Sequence, residues 1–117
     1  MKLKLYIVHR SSFSPRARQM VRDRARRECR IQKEQAPRLF KGTQAACRRG
    51  ADKTAADFKI GRKGSVPTQA EIARARAKGL RRCAREKGNN RQACQIGVLA
   101  AAKEASRVSK LVKRGEV

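Results

Sequence analysis

The sequence predicts a mainly α fold: a short N-terminal strand or extended arm followed by helical hairpins, in its more specific form two related cysteine-bearing hairpins. Three observations carry this. Helix-start signals recur at Ser14-Pro15 and in "TQAE" at 68–71. Apolar and basic residues repeat at three- and four-residue steps through the second half. Two cysteines, Cys83 and Cys94, lie almost symmetrically about the turn in "RRCAREKGNNRQAC".

The elements follow in order. "KLKLYIVH" alternates, with Leu3, Leu5 and Ile7 on one side, and reads as a strand. As a lone strand in a helical chain it has two destinations: an extended arm, residues 1–13, or pairing with another protein subunit through Lys2 to His9. Ser14 then caps a helix with Pro15 at its first position, running to about Gln35 and stopping before Pro37. A second, Ala-rich helix starts near Thr43, although Gly50 weakens it; residues 14–56 form this first helical segment. Residues 57–67, with two Gly and one Pro, read as a basic loop or linker. Thr68 and Glu71 have capping-box spacing, so a third helix begins at Gln69 and ends near Lys87 with Gly88 as its cap. Asn89 or Asn90 caps the fourth, from about Arg91 to Arg114. Residues 68–114 thus form a C-terminal αα-hairpin.

Short matches hint at duplication. "RRECRIQK" resembles "LRRCAREK", and "TQAACRRG" resembles "NRQACQIG" with Gly three residues after Cys in both.

In an antiparallel hairpin, residues equidistant from the turn face each other. That makes Cys83 with Cys94, and Cys29 with Cys47, disulfide candidates that would staple a weak Ala-rich core. Four cysteines allow three connectivities. With no secretory signal visible, the competing reading is four reduced cysteines serving as small core residues. None of the gaps has the short spacing of structural zinc sites, and the one histidine is His9, so no metal is expected.

Charge is the loudest signal. The chain has 117 residues with 32 Lys and Arg against 9 Asp and Glu, a net charge of +23. Such a balance calls for a polyanion. On the first helix Arg18, Arg22, Arg26 and Arg30 repeat at four-residue steps. On the third, Arg74, Lys78, Arg81 and Arg85 make a stripe widened by Arg82, beside an expected apolar face of Ala73, Ala77, Leu80 and Ala84 with Ile72 and Cys83 next to it. On the fourth, Lys103, Arg107, Lys110 and Arg114 line the side away from Cys94, Val98, Ala101, Ala105, Val108 and Val112. Acidic i+4 partners are few, so the stripes are not laced internally. Arg outnumbers Lys, which suits bidentate phosphate contact. Scattered aromatics offer no stacking platform, so backbone contact without sequence specificity is expected.

The acids are dispersed, and no P-loop, G-x-S-x-G or H-E-x-x-H is present, which argues against an enzyme and against a cofactor. No stretch approaches a membrane span. The expectation is a small architectural protein on RNA or DNA phosphate inside a nucleoprotein particle, either a virion or genome-packaging particle or a ribonucleoprotein. The alternative is a protein–protein interaction or inhibitor module that covers an acidic protein surface.

Overall fold

The computed structural model describes residues 12–117, so the Lys2–His9 strand lies outside the described residues. The elements are β1 (Ser12–Phe13), α1 (Pro15–Gln35), α2 (Gln44–Ala56), β2 (Lys59–Ile60), α3 (Gln69–Cys83) and α4 (Asn89–Lys113). The protein is mainly helical, built from two disulfide-bearing helical hairpins.

Local chemistry starts three of the helices. The Ser14 hydroxyl accepts from the Ala17 amide, with Pro15 behind it. The Thr43 hydroxyl accepts from Ala46 N–H. Thr68 and Glu71 form the full capping box. The fourth start differs from expectation. Gly88, at φ +58°, occupies the N-cap and no side chain caps α4. Asn90 is used elsewhere: its Oδ1 accepts from the Thr43 amide at 3.0 Å and ties the start of α2 to that of α4. The third helix also stops at Cys83, short of Lys87.

The cysteines pair as the mirror spacing suggests. Cys29–Cys47 joins α1 to α2 and Cys83–Cys94 joins α3 to α4, with Cα separations of 5.8 and 5.6 Å. On the chain-entropy account, each closed loop is worth about 3 kcal/mol.

Helix α4 is the spine. It buries Cys94, Val98, Ala101, Ala105, Val108 and Val112, the face read from the sequence. It crosses α2 at two glycines. A Cβ on Gly50 would strike the Cys94 carbonyl, and one on Gly97 would strike the Cys47 carbonyl. The segments Cys47-x-x-Gly50 and Cys94-x-x-Gly97 therefore pack on each other reciprocally.

The apolar face expected on α3 needs correcting. Ala73, Ala77 and Ala84 are exposed and Leu80 is half-buried; the buried line is Ile72, Ala75, Gly79 and Cys83. The helix is rotated by roughly a third of a turn relative to the Ala stripe. Gly79 causes this, because its bare Cα sits where a Cβ would meet Thr54 Oγ1 and Val98. Close approach and Ile72 burial outweigh a run of alanines that lose little by facing water.

Residues 57–67 are more than a loop. Phe58 is 2% exposed, and β2 pairs in parallel with β1, Ser12 opposite Lys59 and Phe13 opposite Ile60. The pairing sets the Phe13 and Phe58 rings edge to face at 5.3 Å, anchoring a cluster with Val21, Ile72, Val108 and Val112. A second cluster gathers Phe40, Ala93 and Ala101 around the Cys29–Cys47 bond.

Candidate nucleic-acid interface

Two clefts lie on either side of α2. The first, about 660 Å³, runs between α2 and α3. Its walls are Arg49 and Lys53 from α2 and Lys78, Arg81, Arg82 and Arg85 from α3; its floor includes Gly50, Gly79 and Cys94. The second runs between α1 and α2, lined by Arg18, Arg22, Asp52 and Lys53, with Ile60 at one end. Lys53 belongs to both, so the clefts adjoin across the exposed ridge of α2. A third hollow continues along α1 and α2 with Arg26, Arg27, Arg30 and Arg48. The stripes of α1 and α3, far apart in sequence, thus share one face.

Their side chains are not equally available. Arg26 is held by Asp52 through two hydrogen bonds of 2.8 and 2.7 Å. That hydrogen bonding raises the Arg26 pKa above its ordinary value, partly opposed by desolvation. Arg18 donates to the Phe58 carbonyl at 3.1 Å and so helps fasten β2. Arg22 sits 3.8 Å from Asp23, and its Nε is buried without a hydrogen bond. Arg30 is exposed. The expectation of few internal ion pairs holds along each helix but not between helices: Asp52, Asp57 and Glu86 reach cations on neighbouring elements.

On α3, Arg74, Lys78, Arg81 and Arg85 are exposed and Arg82 is half-buried. Asp57 accepts from Arg82 Nη2 at 2.7 Å and lies 3.9 Å from Lys78. Glu86 accepts from Arg49 Nε and Nη2, both at 2.9 Å. This pair raises the Arg49 pKa and holds the Glu86 carboxyl below its usual range.

The fourth-helix stripe stands apart. Lys103, Arg107, Lys110 and Arg114 are exposed on the side of α4 opposite its buried line, away from α2. Lys103 lies 3.9 Å from Glu28, and Arg107 is 3.0 Å from the buried Glu104, which Arg24 approaches from α1 at 3.6 Å.

Sequence reasoning missed Arg48, Arg49 and Lys53. They share one face of α2 and repeat at one- and four-residue steps, a signal readable on a helical wheel once α2 is accepted as a helix despite Gly50. Phe13, Phe40 and Phe58 are all buried, so none is presented for base stacking. Among the described residues no group of three or more His, Cys, Asp or Glu is placed to hold a metal ion, and no helix is long and apolar enough to cross a membrane. No protein-family model, curated protein or solved structure matches this chain.

Proposed function

We propose that this protein binds the phosphate backbone of nucleic acid without reading sequence, as an architectural component of a larger nucleoprotein assembly. One observation carries the reading: the α1 stripe, the α3 stripe from Lys78 onward and the α2 cations line adjoining clefts on one face, while Arg74 lines a neighbouring hollow beside Asp57. Guanidinium groups grip phosphate oxygens bidentately. A face of this kind binds mainly by releasing condensed counterions, so affinity falls steeply with salt. The disulfides and the glycine crossing supply a rigid frame for it, and the buried phenylalanines leave the contact to charge. The stripe of α4 would meet a second strand or a neighbouring subunit.

The test is the salt dependence of affinity for duplex DNA and duplex RNA. Replacing Arg74, Arg81 and Arg85 by Gln should weaken binding on every sequence and reduce the slope of log K against log salt by about 1 per cation removed. An unchanged slope would remove the reading. A weak slope in the wild type, with tight binding to an acidic protein surface, would favour the protein–protein alternative.

A further inference from the structure

We propose that the α2–α3 cleft is a discrete site for clustered phosphate, taking two or three neighbouring phosphate groups at once. In saying where on the cationic face phosphate is held, this rests on the nucleic-acid reading.

The shape comes first. The floor is poor in side chains because packing demands it. Gly50 lies against the Cys94 carbonyl, and Gly79 lies against Thr54 and Val98. The glycines that let three helices approach each other therefore leave an open trough above them. Its volume, about 660 Å³, is in the range of small-molecule sites and far above the ~30 Å³ of one water. A single phosphate would leave it mostly empty.

The charge is arranged as well as abundant. Six cations line the trough, against Glu86 as its one acidic lining residue. Two of the six are held in place by acids. Asp57 fixes Arg82 through Nη2, and Glu86 fixes Arg49 through two parallel bonds. Guanidinium groups oriented in advance lose less freedom on meeting a ligand. Arg81 and Arg85 make no side-chain hydrogen bond or salt bridge among the described residues, so their charges remain to be met, while Lys53 shares only a through-space attraction with Glu86.

Arg82 adds an independent sign. Its Nη1 is buried with no hydrogen-bond partner. A buried guanidinium N–H left unsatisfied is costly, and native structures rarely keep one without cause. Arg82 lines the trough, and an anion there would supply the acceptor once the guanidinium turned Nη1 toward it. Phosphate suits the set better than carboxylate, because several tetrahedral oxygens can meet forks from both walls together.

The probe is inorganic tripolyphosphate, titrated calorimetrically into the full chain at about 0.15 M salt, where the Debye length is ~8 Å. One saturable site is expected. Lys53→Gln with Arg85→Gln should weaken it by about tenfold or more, since each removes a charged contact. Lys113→Gln, at the far end of α4 and in none of the stripes, should leave it within about twofold. Because Arg82→Gln could disturb the Asp57 contact, Arg82 is followed in the intact protein by its guanidinium nitrogen resonances, which should shift on titration.

Many equivalent weak sites, equal losses in the two variants, unmoved Arg82 resonances, or equal binding of a polyglutamate of matched charge would each overturn the proposal. Displacement of tripolyphosphate by duplex would identify strand phosphates as the source. Independent binding of the two would point to a free polyphosphate, and the site stands in either case. If tripolyphosphate fails to saturate while the Arg74, Arg81 and Arg85 variant still lowers the salt slope, the cleft falls and the nucleic-acid reading stands. The reverse result removes that reading and keeps the cleft.

Discussion

The Glu86 carboxylate accepts two hydrogen bonds from Arg49, a residue 37 positions earlier in the chain. Hydrogen bonding from Arg49 is the main cause that lowers the Glu86 pKa; desolvation opposes it, and the charges of Arg49 and Lys53 add to it. A carboxyl with a depressed folded pKa contributes stability that is present above its unfolded value and is lost as pH falls through the folded value. Both partners retain access to water, so solvent screening keeps the pair near ~0.5 kcal/mol. Glu86→Gln should therefore melt about 2–4 °C below the wild type at neutral pH. The gap should close as pH falls below the ordinary value of 4.5 and through the lowered folded value. A gap that persisted once the carboxyl is protonated would show that Glu86 acts through packing rather than charge. The same residue scale explains why the ion pairs escape sequence reading. Arg26 with Asp52 and Arg82 with Asp57 join residues 26 and 25 apart, far beyond any i+4 rule.

At the scale of elements, the crossing of α2 and α4 decides the architecture, and glycine decides the crossing. In an exposed helix interior, Gly→Ala gains about 1 kcal/mol from propensity. At Gly97 the added methyl would be driven into the Cys47 carbonyl, and overpacking of this kind costs typically ~1–3 kcal/mol. Gly97→Ala should thus lower stability in urea unfolding, although the same change on an open helix face raises it. A stabilised variant would mean that the two helices separate easily and that the crossing is loose. Gly50, which looks like a weakness in a helical pattern, has the mirror-image role, and Gly79 repeats it where α3 meets α2. Gly50 and Gly79 also floor the cleft, so the packing of the hairpins and the shape of the candidate site have one cause.

For the whole molecule the governing quantity is the charge of +23. Its cations outnumber its acids by 32 to 9, and like charges on one face raise the free energy of the compact state. Added salt should then stabilise this protein: its melting temperature should rise as NaCl is taken from about 0.01 to 0.2 M, over which the Debye length shrinks from ~30 Å to under 10 Å. A protein held mainly by surface salt bridges would show the opposite trend, and a falling melting temperature would refute the view of a frame strained by its own charge. The two disulfides and the Phe13–Phe58 cluster offset that repulsion. They let a chain with few large apolar residues hold a cationic face together.

The sequence by itself determined what depends on short range. Caps at Ser14, Thr43 and Thr68 set three helix starts, because a side chain reaches an amide three residues on. Mirror spacing about a turn marked both cysteine pairs as candidates, leaving reduced thiols as the competing reading that the structure overturns. An unbroken apolar repeat set the buried face of α4. Cation stripes were visible for the same reason. Only the tertiary structure decided how α3 turns its face and which stripes meet. It also decided that Arg18 and Arg26 are engaged by the frame while Arg81 and Arg85 are not. Those outcomes hang on Gly50, Gly79 and Gly97, which carry almost no hydrophobic signal and act only by letting another helix come close. They hang equally on acids such as Asp52 and Asp57, whose partners lie on other helices.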